Sequence, residues 1–332
     1  MEARSGSADN LGTPRPWRVP YGRPVPATTP QPDEGRRRHY GAFFGLDPLP
    51  EDDGRPLVLV HGNCQAESLR VLLALDPASP VRTVRVPPAH ELTADDVPRL
   101  HRLLARTDVV VSQPVRDGYR DLPLGTAQVH AAARPGARLV VFPVVRWAAL
   151  HPFQVIVRAG AGEPPVVPYH DLRTLSVAAG GPVLAEVPRP EAVRAVRAES
   201  LQQLRARQDR HGALDVTDLL VAAGAQACQT VNHPGNPVLR GLAERVLAAC
   251  GRPAPVADPG RVLLDSVHAP VLPEVLAALG LDGAPRPDWT VAGVRVEDAR
   301  VREAHARWYA ENPGVAQAGL ARHATVAALL AP

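Results

Sequence analysis

Short apolar runs alternate with amphipathic helical stretches along residues 57–143, and this alternation constrains the fold more than any other feature of the sequence. Thr93 and Asp96, for example, form a capping-box pair that predicts a helix start between two of the runs. Strands that alternate with helices form parallel sheets with right-handed crossovers. We therefore expect one mostly parallel sheet built from Leu57–Val60, Val81–Val86, Val109–Val111 and Leu139–Phe142.

The predicted fold class is α/β, with a mostly parallel, Rossmann-like or SGNH-like sheet flanked by helices. Residues 1–52 are rich in proline, glycine and arginine and have little apolar periodicity, so we expect a mostly disordered tail. Within it, the aromatic stretch 39–45 is expected to dock on the body. Residues 53–250 form the predicted catalytic domain, and residues 251–332 a helical C-terminal extension packed on the core.

Charge, hydropathy and cysteine content argue against several classes of protein. The net charge is only +3 and the arginines are scattered, which argues against a nucleic-acid binder. No apolar run approaches the roughly 20 residues that span a bilayer, and the first residues lack the pattern of a secretory signal. The three cysteines have no zinc-site spacing, so we expect free thiols, no metal and a cytoplasmic protein. The oligomeric state stays open.

Polar residues follow the predicted strands directly, at the positions where a parallel sheet collects its ligands. A further strand predicted at 227–231 leads into the last of them, and then into a helix with Asn236 as its N-cap and Pro237 as its first residue. We expect Cys64 and His233 to face one pocket, with Gln113 in its wall. The residues that these turns supply are Gly62, Asn63, Cys64, Gln65, Ser112, Gln113, Arg146, His151, Asn232 and His233.

The stretch His-Gly-Asn-Cys-Gln places Cys64 where a strand ends and a helix begins. The positive end of the helix dipole favours a thiolate there, and we expect the pKa of Cys64 to fall from about 8.5 toward 7. Gly62 permits a tight turn or a close backbone approach. Asn63 is a candidate N-cap and a candidate donor to a developing oxyanion. His233 is the candidate base that takes the thiol proton.

Each of these residues also has a purely structural interpretation. Cysteine is often a small buried hydrophobic residue, and Asn63 can cap the helix without contacting a substrate. His233 can belong to a simple turn, and Arg146 can be an ordinary surface arginine. The combination of Gly, Asn and Gln around Cys64 favours a functional site over these alternatives.

Five segments, taken together and in this order, resemble the bacterial polysaccharide-biosynthesis WcbI family: VHGNCQAESLRVLL, VVVSQPV, VVFPVVRWAALHP, LDVTDLL and QTVNHPGNPVL. The resemblance covers residues 57 to about 250. It implies an α/β fold, coenzyme A binding and acetyl transfer to a capsular or exopolysaccharide sugar. By motif match, Cys64 would be the catalytic thiol, and the residues lining the site would be Gly62, Asn63, Gln65, Gln113, Asn232 and His233.

These observations favour an acyltransferase that moves an acyl group, acetyl by family resemblance, from acyl-coenzyme A to a sugar hydroxyl. The candidates for contacting the coenzyme are Ser112, Arg146, His151 and Asn236. Two alternatives stay open. A hydrolase on the same scaffold would use water as the acceptor, and a non-catalytic module would only bind a nucleotide-like ligand or a glycan.

Overall fold

The computed structural model describes residues 34–158, 160 and 162–332. Its main sheet has four parallel strands in the order β2-β1-β3-β4. The prediction of a parallel sheet is confirmed, although β2 is two residues long where six were expected. The strands are β1 (Leu57–His61), β2 (Arg82–Thr83), β3 (Val109–Ser112) and β4 (Arg138–Val141).

The apolar runs are continuous because both faces of this sheet are covered. Val58, Val60 and Val111 belong to one cluster of buried side chains, while Leu59 and Val110 belong to a second cluster on the opposite face. All five side chains are at most 4% exposed. The α/β class is thus set by burial on two sides of each central strand.

Thirteen α-helices lie in the described part of the chain, and α3 and α9 pack together beside the sheet. They are α1 (Glu34–His39), α2 (Gly41–Phe44), α3 (Cys64–Leu73), α4 (Val97–Leu104), α5 (Thr126–Ala131), α6 (Leu172–Ala178), α7 (Pro190–His211), α8 (Thr217–Ala223), α9 (Asn236–Ala249), α10 (Pro273–Leu279), α11 (Asp298–Glu311), α12 (Pro313–Arg322) and α13 (Ala324–Leu330).

The predicted further strand at 227–231 exists as β7 (Cys228–Thr230), but it does not join the parallel sheet. It pairs antiparallel with β8 (His233–Pro234) in a separate two-stranded ribbon. Asn232 and His233 therefore come from a hairpin turn and not from the carboxyl end of a fifth parallel strand. A second such ribbon joins β5 (Gln154–Val155) to β6 (His170–Asp171).

The end of the chain is largely helical, as the sequence predicts, and α10 and α13 both pack against α7. It also contains a small antiparallel sheet that the sequence did not reveal, with strands β9 (Val267–His268), β10 (Trp289–Val291) and β11 (Val294–Val296). The division of the chain into a body and a C-terminal extension stays a prediction. None of the helices in the described residues combines the length and hydropathy that crossing a bilayer demands.

Part of the predicted tail is ordered. Tyr40 and Phe43, at 9% and 1% exposure, insert among the apolar side chains that α4 and β3 contribute to one face of the sheet. The docking expected for 39–45 is therefore present, and regular structure begins at Glu34, well before residue 53. The tail before residue 34 lies outside the described residues.

Replacing Phe43 by alanine should therefore destabilise the body. The substitution leaves a cavity in a closed apolar cluster, and we expect the free energy of unfolding to fall by about 3–5 kcal/mol. Leu46, just beyond the same helix, is 51% exposed, so Leu46→Ala should change it by less than about 0.5 kcal/mol. Urea unfolding of both variants checks this, and equal midpoints would show that α2 does not contribute to the core.

Candidate active site

The sheet reverses its strand order between β1 and β3, because the chain adds β2 on one side of β1 and then returns to the other. In open parallel sheets, the crevice beyond the carboxyl ends of such a strand pair is where ligands bind. His61 and Ser112 end the two strands opposite each other. The turns that follow them carry Cys64 and Gln113.

The turn after β1 depends on a close approach to Gln113. The Gln113 Oε1 atom accepts a hydrogen bond from the backbone N–H of Asn63 at 2.9 Å. A Cβ atom on residue 62 would lie 2.4 Å from that oxygen. Gly62 is thus required by space, because any side chain would displace the carboxamide that holds the turn.

Asn63 is the N-cap of α3, as one of its two interpretations predicted. Its Oδ1 atom accepts from the backbone N–H of Gln65 at 2.9 Å, and Cys64 is the first helical residue. The Nδ2 group of Asn63 has no hydrogen-bond partner among the described residues. The same side chain can therefore cap the helix and still donate to a ligand.

Gln65 connects this turn to two distant segments of the chain. Its Nε2 group donates to the backbone oxygens of Val145 and Asn232, at 2.9 and 2.7 Å. Its Oε1 atom accepts from the Val145 N–H at 3.0 Å and from Gln113 Nε2 at 3.2 Å. Gln65 is 2% exposed, and these four bonds occupy its whole carboxamide. It is a positioning residue that fixes where Asn232 lies relative to Cys64.

His233 is joined to the same network through Tyr169. The Tyr169 hydroxyl donates to Asn232 Oδ1 at 2.9 Å and lies 3.3 Å from His233 Nε2. It also accepts from the Thr230 hydroxyl at 3.0 Å. A continuous path of hydrogen bonds therefore runs from the Cys64 turn through Gln65, Asn232 and Tyr169 to the His233 ring.

Sequence reasoning missed Tyr169. The residue belongs to an isolated Tyr-His-Asp run in an irregular, proline-rich stretch, and no spacing connects it to Asn232 or His233. In the structure it is 4% exposed and stacks on Trp289, with ring centroids 6.1 Å apart. Burial raises the pKa of the Tyr169 phenol, and a thiolate at Cys64 would raise it further. Tyr169 thus lies near enough to Cys64 to respond to a thiolate there, and it contacts His233.

The predicted lowering of the Cys64 pKa is wrong. The backbone N–H groups of Cys64 and Gln65 do favour the thiolate, as a helix N-terminus should. Burial of the sulfur outweighs them and raises the pKa of the thiol. Cys64 is therefore a neutral thiol at pH 7 and needs a base to become a nucleophile.

His233 has the protonation state that a base requires. Burial lowers the pKa of its ring to about 4, and the nearby backbone of Leu264 offsets only part of that effect. The ring is therefore neutral at pH 7. Its buried Nδ1 atom makes no hydrogen bond to any residue described in the structure. A neutral imidazole with one oriented and one unpaired nitrogen can accept a proton.

Comparison with known protein families gives a match over more than half of the chain. The sequence model of a family described as polysaccharide biosynthesis enzyme WcbI matches residues 57–255, which include Cys64, Tyr169 and His233. The chain belongs to the WcbI family. No curated protein sequence matches it significantly.

The family's fold is visible in a solved structure. That structure is of WcbI, described as a novel polysaccharide biosynthesis enzyme, in its native form without a disulfide bond between coenzyme A and one of its cysteines. The likeness has a TM-score of 0.68 at 19% sequence identity and covers 83% of this chain and 98% of that one. At this identity it establishes a shared fold.

Three residues that the sequence offered as coenzyme contacts are instead bonded within this WcbI-family body. Ser112 is fully buried and donates to the backbone oxygen of Gln113. His151, 3% exposed, has the backbone oxygens of Pro270 and Cys228 beside its two ring nitrogens. The N-cap of α9 is Gly235 and not Asn236. The Asn236 side chain donates to the backbone oxygen of Arg261 and accepts from the backbone N–H of Leu263. Arg146 lies in a separate cleft, described below.

Metal-ligating side chains do not cluster in the described residues. They contain no group of three or more His, Cys, Asp or Glu side chains placed to hold an ion.

Gln65→Met tests the positioning role of Gln65. The substitution removes four bonds and leaves buried backbone groups of Val145 and Asn232 without partners, so we expect a loss of about 2–4 kcal/mol in the free energy of unfolding. Gln202→Met makes the same chemical change at an exposed position on α7. It should cost less than about 0.5 kcal/mol. Equal urea midpoints for the two variants would contradict the role.

Acid should destabilise the protein well before its carboxylates titrate. Burial lowers the pKa of His151, His170 and His233 to about 4, against about 6.5 when unfolded. Between these two pKa values the unfolded state therefore binds more protons than the folded state. The contribution of the buried rings to the free energy of unfolding is fully present above pH 6.5 and is lost as the pH drops toward 4. Each of the three histidines should lower the free energy of unfolding by about 2 kcal/mol as the pH falls from 7 to 5.

Urea unfolding of His151→Gln at the two pH values measures this effect. The variant should lose about 2 kcal/mol less than the wild type does on acidification. His211→Gln, at an exposed position, should leave the pH dependence unchanged. A wild-type stability that is flat from pH 7 to pH 5 would show that these rings are not buried as neutral groups.

Proposed function

We propose that this protein is a coenzyme A-dependent O-acyltransferase of polysaccharide biosynthesis, which moves an acyl group, most simply acetyl, from acyl-coenzyme A to a sugar hydroxyl. The observation that carries the proposal is the hydrogen-bonded path from the Cys64 turn through Gln65, Asn232 and Tyr169 to His233. This path supports a joint role for the Cys64 thiol and the neutral His233 ring, because it connects the backbone turn that carries Cys64 to that ring.

Family membership supports the biosynthetic role, and the solved WcbI structure supports the donor. Its description mentions coenzyme A together with a cysteine. Of the three cysteines of this chain, Cys64 alone is partly exposed, while Cys228 and Cys250 are buried. Cys64 is therefore the cysteine that a thioester can reach.

In the proposed first step, His233 takes the proton of the Cys64 thiol, and the sulfur attacks the thioester carbonyl. The bond between the acyl carbon and the coenzyme sulfur breaks, and coenzyme A leaves as a thiol with the proton that His233 returns. In the second step the sugar hydroxyl gives its proton to His233 and attacks the acyl-cysteine. An ester forms, and Cys64 regains its proton.

The amide groups of the turn would stabilise the charge that develops on the carbonyl oxygen in both steps. Asn63 Nδ2 has no partner among the described residues, and it lies on the residue next to Cys64. One such donor is worth roughly 3 kcal/mol of barrier. Tyr169 would hold the His233 ring in place through its 3.3 Å contact with Nε2, which makes it a positioning residue.

Cys64→Ser, His233→Ala and Tyr169→Phe test the proposal. Thiol release from acetyl-coenzyme A, followed with and without sugar acceptors, should fall at least about 100-fold in the first two variants. Wild type given excess donor should accumulate an acylated protein by mass spectrometry. Tyr169→Phe should lower kcat about tenfold with little change in KM, because it loosens the base without touching the donor.

Matched variants and the acceptor dependence separate the alternatives. Cys250→Ser and His211→Ala change the same residue types away from the crevice and should retain activity. If Cys64→Ser keeps most activity and no acyl-protein forms, the sugar attacks the thioester directly with His233 as base. Thiol release that continues beyond one equivalent per protein without any acceptor would indicate a hydrolase, and tight donor binding without release a binding module. Full activity in both Cys64→Ser and His233→Ala would refute this site.

A further inference from the structure

A second cleft, of about 410 Å³, opens between the loop after β4, helix α7 and the junction of α12 with α13. Three arginines line it, one from each of these elements. They are Arg146, Arg207 and Arg322, and the other polar residues of the lining are Glu199, Ser200, Gln203, His323 and Thr325. Cys64, Tyr169 and His233 do not line this cleft.

None of the three arginines forms an ion pair or a side-chain hydrogen bond with a residue that the structure describes. Arg146 and Arg207 are partly buried and Arg322 is exposed, whereas the buried Arg173 and the partly buried Arg302 both pair with Glu186. The contrast is sharpest at Arg207, whose Nε and Nη2 atoms are buried without a partner. A guanidinium kept in this state costs free energy unless a ligand supplies the missing anion.

The positive charges also lie close to each other. Burial lowers the pKa of Arg146, and the charges of Arg207, Arg158 and Arg322 lower it further. The acid in the cleft wall, Glu199, accepts a hydrogen bond from Gln203 at 2.9 Å and lies beyond 4 Å from the arginines' nitrogens. Three arginine charges therefore face a single carboxylate in the cleft, and none of them is ion-paired with it.

Guanidinium groups bind phosphate oxygens in pairs of parallel hydrogen bonds, and several together suit a group with more than one negative charge. The hydroxyls of Ser200 and Thr325 can donate further hydrogen bonds to the same oxygens. Ala148, Val196, Val231 and Val326 give the cleft an apolar part. This combination fits a phosphate-bearing ligand with a non-polar portion better than a free inorganic ion.

The cleft shares a wall with the candidate active site. Arg146 directly follows Val145, whose backbone binds Gln65, and Val231 directly precedes Asn232. The two wall segments are themselves joined, because the Trp147 N–H donates to the Val231 oxygen at 2.7 Å. A ligand held by the arginines therefore lies next to the backbone that positions Asn232 and His233.

We propose that the arginine cleft binds the phosphate or pyrophosphate group of a nucleotide-linked substrate of the neighbouring crevice. Two substrates carry this chemistry, coenzyme A as the acyl donor and a nucleoside diphosphate sugar as the acceptor. The link to acyl transfer rests on the proposed function, but phosphate binding by the cleft does not require turnover.

Isothermal titration without an acyl group tests the cleft independently of catalysis. The probes are coenzyme A, pantetheine, UDP-glucose and pyrophosphate, and the proteins are the wild type, Arg207→Gln and Arg146→Gln. Each substitution should weaken binding of at least one phosphate-bearing probe tenfold or more and leave pantetheine unchanged. Arg207→Lys should recover part of the affinity. Arg205→Gln, an exposed control on the same helix, should bind like the wild type.

The pattern of loss identifies the source of the phosphate. Weaker binding of coenzyme A alone assigns the cleft to the donor, and weaker binding of UDP-glucose alone assigns it to the acceptor. Unchanged affinities in both glutamine variants, whose folding is checked by urea unfolding, would overturn the proposal, as would a wild type that binds no phosphate-bearing probe. The titrations require no turnover, so a failure of the proposed catalysis stays distinguishable from a failure of this cleft.

Discussion

The candidate active site depends on the four hydrogen bonds of one buried carboxamide. The Gln65 side chain bonds both the N–H and the oxygen of the Val145 backbone and also the backbone oxygen of Asn232. Its own backbone N–H donates to the capping side chain of Asn63. Three segments that are far apart in sequence thereby meet at the first turn of α3. A buried glutamine of this kind is costly unless every group is satisfied, and here every group is. Because Gln65 directly follows Cys64 in the sequence, these bonds hold the distant segments beside Cys64.

Burial sets the protonation of the site. The helix N-terminus acts on Cys64 in the direction that favours a thiolate, but removing the sulfur from water acts more strongly in the opposite direction. The same burial makes His233 a neutral ring and keeps the Tyr169 phenol protonated. The free protein therefore holds a thiol, an imidazole and a phenol, all uncharged. Charge appears only when a proton moves between these groups and a substrate. The amide donors at the turn would stabilise the charge that forms at that moment.

The two polar regions of the protein differ in how their charge is balanced. Around Cys64, neutral groups hydrogen-bond with one another, whereas the arginines of the adjoining cleft, Arg146, Arg207 and Arg322, form no ion pair with a described residue. The first arrangement suits proton transfer in a low-dielectric pocket, and the second suits attachment of a polyanion. The two regions adjoin along residues 145–148 and 231–232, where the Trp147 N–H donates to the Val231 oxygen.

The central part of the fold could be predicted from the sequence because its signals are local. Both faces of the sheet are buried, so β1 and β3 read as unbroken apolar runs, and the capping box at Thr93 and Asp96 is present as expected. There it opens a short 3₁₀ turn at Ala94–Asp96 before α4 begins. The predicted length of β2 was too great, because only two of the alternating residues 81–86 pair with β1. The small antiparallel sheet near the C-terminus has strands of two or three residues, too short for a periodicity to appear.

For the site, the sequence by itself determined the Cys64 turn: a strand that ends at His61, a glycine needed for close approach, an Asn cap and a cysteine at the first helical position. It also indicated Gln113, Asn232 and His233, since each follows a strand-like run. Only the tertiary structure decided that Asn232 and His233 lie in a hairpin outside the parallel sheet, that Tyr169 joins them, and that His151, Ser112 and Asn236 bond inward. It also decided the pKa of Cys64, because the helix dipole is a property of the local chain, whereas desolvation depends on everything that packs around the sulfur.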